Sequence, residues 1–482
     1  MGEVNSLLVD DHAFHDITFK GKRVLLHIPS TGIFVLDSVA GKLLDYVKSK
    51  ELTSQLDIRH HLMGHPLDEI SNALDDFQAL GILNDISTAI KHTGANNNIK
   101  VTEFPLSTIV LNVNTGCNLS CTYCYKEDLA TPSDGKLLEL EKAKEGIELL
   151  IREGKNRKSL NVVFFGGEPL SNMKLIRAVT TYAEQRCAEE NKNVDFSLTT
   201  NATLLTDELI DYFNEHKFGI SISMDGPEAV HDRRRRTVGG FGTHGVVAKK
   251  AKNLVSRYTA KPVGARVTVT SGFTDVRAIH DHLKNEIGFA EVGIAPVTSN
   301  PIADFNLSND ELRKLFESMK DLGRDYVAAA IRGENNGFSN MHQMMSDLYE
   351  GRKKSLPCGA GVGLLAVDHK GDLNLCHRFT GSELPTFGNV STGIKKAELG
   401  AFIEKAIDRN DRGCATCRIR NLCSGGCYHE SYANFSDPHS PVYHYCELLR
   451  EWVDFGIECY LEIVEKNINF LHEHVSNRRG EQ

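Results

Sequence analysis

The stretch Cys117-Asn-Leu-Ser-Cys121-Thr-Tyr-Cys124 places three cysteines in one short loop, just after an apolar segment at 108–113 that predicts a buried strand. Three thiolates in a tight loop can hold three irons of a cubane iron–sulfur cluster and leave the fourth iron without a protein ligand. Structural zinc, in contrast, needs four ligands. The spacing therefore favours an iron–sulfur cluster that keeps one open position.

Beyond this loop, apolar segments alternate with helical patterns such as 135–153. The candidate strands are 108–113, 161–165, 195–200, 219–224, 265–269 and 291–297. Apolar strands that alternate with helices indicate parallel strands buried in βα units. Six such units are too few for an eight-stranded barrel. We therefore expect an α/β fold built on an open, partial (β/α)6 barrel, with its chemistry at the carboxyl ends of the strands.

Two segments flank the predicted barrel. The first has strand patterns followed by helical patterns, which suits a small winged-helix-like module. The second is rich in Cys, Gly and loop formers, which suits a domain folded around metal rather than around a large apolar core. The predicted segments are a module at 1–98, the barrel at 105–310, a helical linker at 311–357, the Cys-rich domain at 358–447 and a C-terminal helix at 448–482.

The composition excludes several other classes of protein. The 482 residues carry a net charge of −9, are 41% hydrophobic and include 12 cysteines. This excludes global disorder, and the cysteine content is far below the roughly 8–10% of a disulfide scaffold. No apolar run approaches the ~18 residues of a membrane span, and the acidity argues against nucleic-acid binding. The N-terminus lacks signal-peptide features, so we expect a cytoplasmic protein with reduced thiols.

The cysteine loop and the predicted barrel together resemble the radical S-adenosylmethionine (SAM) superfamily. In that family the open iron binds SAM, and one-electron reduction cleaves SAM to a radical that abstracts hydrogen from the substrate. The resemblance implies that Cys117, Cys121 and Cys124 ligate the SAM-binding cluster. It also implies that Tyr123 lies near the adenine of SAM.

Polar residues after the next predicted strands extend the resemblance. Gly166-Gly167-Glu168 follows the second strand, where glycines let the backbone approach a ligand, and the resemblance implies a contact with the methionine amino group. It implies further SAM contacts for Asn201, Ser223 and Arg235. Turn and helix-cap chemistry explains Asn201 and Ser223 equally well.

Seven further cysteines lie near the C-terminus, and their spacing matches the SPASM signature of radical SAM peptide maturases. That signature binds two auxiliary [4Fe–4S] clusters, so the resemblance implies three [4Fe–4S] clusters in all. It assigns Cys358, Cys376 and Cys427 to the first auxiliary cluster and Cys414, Cys417, Cys423 and Cys446 to the second. Seven cysteines do not divide into closed four-cysteine zinc sites.

Some SPASM enzymes carry an extra cysteine shortly after the first, whereas 359–367 has none here. The first auxiliary cluster is therefore predicted to keep an open iron for a substrate thiolate, unless Asp368 or another side chain closes it. The two remaining cysteines, Cys187 and Cys459, fall in predicted helices and are interpreted as buried thiols.

The motifs at 376–379, 425–430 and 444–446 resemble the family of quinohemoprotein amine dehydrogenase maturation proteins. The resemblance implies an enzyme that joins Cys sulfur to methylene carbons of Asp or Glu in the small subunit of that dehydrogenase. The N-terminal module resembles a peptide-recognition element in which the substrate adds a strand to a sheet edge. Asp225 is a candidate catalytic base, and a donor such as flavodoxin or ferredoxin would supply the electron.

Three alternatives to this function remain open. The chain could mature another Cys-rich peptide, or it could form formylglycine as sulfatase maturases do. A winged-helix regulator with zinc sites is the third, and the net charge of −9 and the barrel motifs count against it. Neither a nucleic acid nor a membrane is expected as a partner.

Overall fold

The computed structural model describes residues 6–86, 100–125, 135–298, 303–408, 413–440 and 445–475. The chain begins with a module that has its own apolar core. Its elements are β1 (Ser6–Val9), β2 (Phe14–Phe19), β3 (Lys22–His27), β4 (Gly32–Leu36), α1 (Ser38–Lys48), β5 (Thr53–Ser54), α2 (Gln55–His61), α3 (Leu67–Ala79) and β6 (Leu83–Asp85). Strands β2, β3 and β4 form one antiparallel sheet, and β5, β1 and β6 form another, so β4 lies at a sheet edge.

Alternating strands and helices form the middle of the chain. They are β7 (Thr108–Asn114), α4 (Leu140–Glu153), β8 (Ser159–Gly166), α5 (Met173–Glu189), β9 (Asn193–Thr200), α6 (Asp207–Glu215), β10 (Gly219–Ser223), α7 (Glu228–Arg234), α8 (His244–Arg257), β11 (Gly264–Val269), α9 (Val276–Asp281) and β12 (Glu291–Pro296). The six strands are parallel neighbours in the order β12-β11-β10-β9-β8-β7. This open arrangement confirms the predicted α/β fold with a partial barrel.

Long helices and short strands complete the described chain. They are α10 (Asn309–Ile331), α11 (Ser339–Tyr349), β13 (Leu364–Val367), β14 (Leu373–Asn374), β15 (Gly388–Asn389), β16 (Gly393–Ile394), α12 (Lys396–Ile407), α13 (Arg420–Cys423), α14 (Tyr428–Phe435) and α15 (Cys446–His474). Helix α15 packs along α10 and α11, and all three contribute to the core of the barrel.

The Cys-rich segment is joined to the barrel more closely than the sequence predicts. Strand β13 pairs in parallel with β7, and β14 pairs with β13, so the central sheet has eight strands. Leu365, Phe379 and Phe402 are buried in the same apolar core as the barrel residues. The prediction that 358–447 lacks a large apolar core is therefore wrong. Strand β13 spans only four residues, which is too short for a periodic pattern.

One predicted helix begins later than its pattern suggests. Residues 135–139 lie before α4 and pair with the end of β7 instead, where Leu137 bridges to Asn114 and the Leu138 amide donates to the carbonyl of Val113. The strand end offers unpaired backbone groups at this point, so pairing with it replaces the first helical turn.

The N-terminal module packs against the C-terminal part of the chain. His15 Nε2 lies 3.1 Å from Asp454 Oδ1 on α15, and Asn421 Nδ2 donates to the carbonyl of Ile28 at 2.7 Å. Among the described residues, none of the helices is both long and apolar enough to cross a membrane. Residues 1–5 and 87–98 of the predicted module and His444 of the predicted motif lie outside the described residues.

Candidate active site

A cavity lies at the carboxyl ends of strands β7 to β10, and the cysteine loop after β7 forms one of its walls. Cys117, Cys121 and Cys124 all line it. It is also lined by every residue for which the sequence predicts a SAM contact: Tyr123, Gly166, Gly167, Glu168, Asn201, Ser223 and Arg235. The fold therefore brings together residues from four separate strand ends.

The chemistry of the cysteine loop fits a cationic cluster. Burial, with smaller contributions from Glu168, Cys121 and Cys124, raises the pKa of the Cys117 thiol to about 12. Burial likewise raises the pKa of Cys121, with Cys124 adding to the shift. Because thiolates are the ligand form, three such groups can ionise together only beside a compensating positive charge, which iron supplies.

The Gly-Gly-Glu motif holds the cysteine loop against the barrel. A Cβ at Gly167 would lie 2.1 Å from the carbonyl oxygen of Gly116, so only glycine fits there. The Glu168 carboxylate is buried and ties the second strand to the third, because it accepts hydrogen bonds from Thr200 Oγ1 at 2.6 Å and the Asn201 amide at 2.8 Å. Burial raises the pKa of Glu168, and these donors oppose the shift.

The Asn201 side chain contacts both the cysteine loop and its own turn. Its Nδ2 donates to Asn118 Oδ1 at 2.9 Å and lies 3.8 Å from the Sγ of Cys117, on the cavity side. Its Oδ1 accepts from the Thr203 amide at 3.0 Å, which is turn chemistry. The turn therefore aims the Asn201 side chain at the cysteine loop.

Tyr123, Asp225 and Arg235 form a hydrogen-bonded group behind the cysteine loop. The Tyr123 hydroxyl donates to Asp225 Oδ2 at 2.6 Å and accepts from Arg235 Nη1 at 2.6 Å. The Thr268 amide donates to Asp225 Oδ1 at 3.0 Å. Asp225 is not among the residues that line the cavity, so its role as a base stays a prediction, and its contacts favour a role in positioning Tyr123.

Arg235 carries a donor that suits a bound ligand. Its side chain lines the cavity, and its buried Nε has no hydrogen-bond partner among the described residues. A buried donor of this kind is costly unless an acceptor reaches it. The cysteine thiols, the Gly-Gly-Glu backbone and this donor together fit a site for an iron–sulfur cluster and a polar cofactor.

Comparison with known proteins agrees with this geometry. Residues 111–275 match the family model of the radical SAM superfamily. The matched residues include the cysteine loop and the Gly-Gly-Glu motif that line the cavity. The solved structure of anSMEcpe with bound AdoMet superimposes with a TM-score of 0.64 at 20% identity, covering 75% of this chain and 100% of that one.

Similarity also extends beyond residues 111–275, because several relatives and solved structures cover most of the chain. The radical SAM cyclopropyl synthase TigE of Paramaledivibacter caminithermalis is 25% identical over 452 residues, 88% of each chain. A cysteine-type anaerobic sulfatase-maturating enzyme of Clostridium perfringens is 21% identical over 73% of this chain and 96% of its own. Streptococcus suis SuiB bound to the precursor peptide SuiA has a TM-score of 0.51 at 14% identity, covering 92% of this chain and 100% of that one.

Electrostatic interactions link the C-terminal cysteines in two sets. Burial, with smaller contributions from Cys427 and Cys358, raises the pKa of Cys376 to about 12. Burial raises the pKa of Cys423 to about 11, and the thiols that add to this shift are Cys417, Cys446 and Cys414. The other two cysteines, Cys187 and Cys459, are buried in α5 and α15, as predicted.

Asp368, the side chain that could close the first auxiliary cluster, makes hydrogen bonds within its own turn. Asp368 Oδ1 accepts from the amides of Lys370 and Asp372, both at 2.9 Å, and therefore caps the turn between β13 and β14. Among the described residues, no group of three or more His, Cys, Asp or Glu side chains is arranged to hold one metal ion. In a cubane cluster each cysteine binds a different iron, so its cysteines need not converge on one point.

Two residues that the sequence analysis missed connect this cavity to the set of Cys358, Cys376 and Cys427. Tyr125 lines the cavity, and its hydroxyl interacts electrostatically with the thiols of Cys124, Cys376 and Cys427. The Arg378 guanidinium lies 4.9 Å from the centroid of the Tyr125 ring and donates to Thr298 Oγ1 at 2.5 Å. The position of Tyr125 directly after the last loop cysteine was the one signal for it.

Proposed function

We propose that this chain is a radical SAM peptide maturase that joins a cysteine sulfur to a methylene carbon of Asp or Glu within one polypeptide. The first candidate substrate is the small subunit of quinohemoprotein amine dehydrogenase. The observation that carries the proposal is the wall shared by the radical SAM cavity and the group of Cys358, Cys376 and Cys427, formed by Tyr125 and Arg378. This group has one cysteine fewer than a closed four-iron cluster needs.

The described residues fit the cofactors that this function needs. The loop cysteines would hold the SAM-binding cluster. SAM itself would be held by the Gly-Gly-Glu motif, Asn201, Ser223 and Arg235. The two sets of C-terminal cysteines would hold the auxiliary clusters. When bound, these cofactors supply radical and electron-transfer chemistry. The chain's own residues orient the cofactor and the peptide and shield the cavity from water.

The thioether proposal is tested with anaerobically purified, SAM-loaded enzyme, a chemical reductant and the small-subunit polypeptide. We expect 5′-deoxyadenosine, a loss of hydrogen mass from the polypeptide and the loss of one alkylatable thiol for each link. Mass spectrometry before and after alkylation measures all three. Deoxyadenosine formation with every thiol still free would overturn the thioether assignment.

The same measurement separates the second candidate functions, which similarity to TigE and to the sulfatase-maturating enzymes favours. A cyclopropane would remove hydrogen and leave the thiols alkylatable. Formylglycine would remove a thiol and create an aldehyde that reacts with a hydrazine probe. Each product therefore has its own combination of mass and reactivity.

The exposed edge of the N-terminal sheet suits a substrate segment that adds a strand. In the described part of the chain β4 pairs only with β3, and Phe34 and Val35 on it are 39% and 57% exposed. An unpaired edge with exposed apolar side chains is a template for another extended chain. A neighbour of this fold, SuiB, has been solved with a precursor peptide, which supports a peptide as the partner.

Replacing Phe34 and Val35 together by lysine is expected to weaken binding of the small-subunit polypeptide about ten-fold, because interface anchors of this kind contribute more than ~1 kcal/mol. Fluorescence anisotropy with labelled polypeptide measures the affinity. Val246→Lys is the matched control, since Val246 is 51% exposed on α8 of the barrel. Equal loss in both variants would show that the edge strand is not the docking site.

A further inference from the structure

A second cavity adjoins the radical SAM cavity, and residues 296–298 line both. Apolar side chains such as Leu312 and amide side chains such as Asn309 line its walls. Phe435, which is 52% exposed, lies among its lining residues and is open to solvent. A cavity with this mixed lining, open to solvent and next to the radical SAM cavity, has the character of a binding site for a peptide segment.

One buried carboxyl group lines this second cavity. Glu430 on α14 is 6% exposed, and its Oε1 accepts a hydrogen bond from the Tyr445 hydroxyl at 2.9 Å. This is the one side-chain hydrogen bond that Glu430 makes within the described part of the chain. Burial raises the pKa of Glu430 to about 7, and Tyr445 and the Arg378 guanidinium oppose the shift.

We propose that the second cavity receives the substrate cysteine and that Glu430 takes the proton from its thiol. The inference rests on the proposed thioether function and assigns the proton acceptor that this function needs. In the step, the S–H bond breaks, the proton moves to Oε2 of Glu430 and the electron pair stays on sulfur as a thiolate. No electron is gained or lost, so the step needs no oxidant.

The surroundings of Glu430 suit this transfer. A free cysteine thiol has a pKa of about 8.5, within about two units of a carboxyl group that titrates near neutrality, which is the match that a general base requires. Arg378 interacts electrostatically with Glu430 and also lines the radical SAM cavity, so its positive charge favours a thiolate formed between the two cavities. Asp225 is not among the residues that line either cavity, which favours Glu430 for this role.

Glu430→Gln is expected to lower the rate of thioether formation by about 10²-fold or more, the range for loss of a general base. Its iron content and its affinity for the labelled small-subunit polypeptide should stay within two-fold of wild type, since glutamine preserves shape and still accepts from Tyr445. Glu398→Gln is the matched control, because Glu398 is a 60% exposed carboxylate paired with Lys395 on α12. It should match wild type throughout.

The pH profile gives a readout that a merely structural role would not move. Glu430 must be ionised to accept a proton, so the wild-type rate should fall as the pH drops through about 7. Tyr445→Phe removes a hydrogen bond that stabilises the Glu430 carboxylate. The fall in rate at low pH should therefore move to higher pH in this variant. In Glu430→Gln the fall in rate near pH 7 should be absent.

The outcomes distinguish failure of the proposed function from failure of the role assigned to Glu430. If the wild-type enzyme forms no thioether, the proposed function and this inference fail together. If it forms the thioether and Glu430→Gln does so within three-fold of its rate, only the inference fails. A fall in rate that stays at its wild-type pH in Tyr445→Phe, with wild-type iron content, would overturn the inference even where Glu430→Gln fails to fold.

Discussion

Replacing Cys117, Cys121 and Cys124 together by alanine is expected to reduce 5′-deoxyadenosine formation to background and to remove about four irons per chain, one cubane cluster. These thiols line the radical SAM cavity beside every residue predicted to contact SAM. Without them nothing in the loop can ligate iron. Iron analysis and chromatography of the anaerobic reaction mixture measure the two losses.

Replacing Cys358, Cys376 and Cys427 by alanine is the informative comparison. It should also remove about four irons, yet it should leave SAM cleavage detectable while thioether formation stops. Cys187→Ala is the control, because this thiol is buried in α5 and belongs to neither group. Deoxyadenosine formation that survived in the first variant and vanished in the second would reverse our assignment of the clusters.

The parallel strands were predictable because their apolar residues are buried, along nearly all of β7 and at every second position of β8 and β10. The candidate strands at 219–224 and 265–269 differ by one residue at one end from β10 and β11. The position of the cavity was also predictable, because residues at the carboxyl ends of neighbouring parallel strands must meet at one edge of the sheet. Local pattern and topology together were sufficient for Glu168, Asn201 and Ser223.

Contacts between distant parts of the chain could not be predicted in this way. Arg378 lies more than 250 residues from Tyr125 in sequence, and no local pattern indicates that its guanidinium packs on that ring. Strand β13 is short and sits among glycines, so its pairing with β7 carries no periodic signal. Asp225 was read as a base because it follows a strand end, where its side chain could equally point behind the loop.

Asp225→Ala is expected to lower the free energy of unfolding by about 2–4 kcal/mol, because it leaves two donors, the Tyr123 hydroxyl and the Thr268 amide, without their acceptor. Asp225 and Arg235 are 2% and 8% exposed and both bind the Tyr123 hydroxyl. The variant leaves the Arg235 charge without its carboxylate and the Thr268 amide without an acceptor. Urea denaturation of the iron-loaded protein measures the change.

Two further variants separate positioning from base catalysis. Asp304→Ala is the matched control, since Asp304 is 83% exposed and pairs with Arg234 at 3.4 Å, and it should cost less than about 1 kcal/mol. Asp225→Asn keeps an acceptor for the Thr268 amide, so it should be more stable than Asp225→Ala. If Asp225 positions Tyr123, the activity of the three variants should follow their retention of iron. If Asp225 is a base, Asp225→Asn should retain its iron and its stability but lose thioether formation. It should also lose the fall in rate at low pH. Such a result would contradict the assignment of that fall to Glu430.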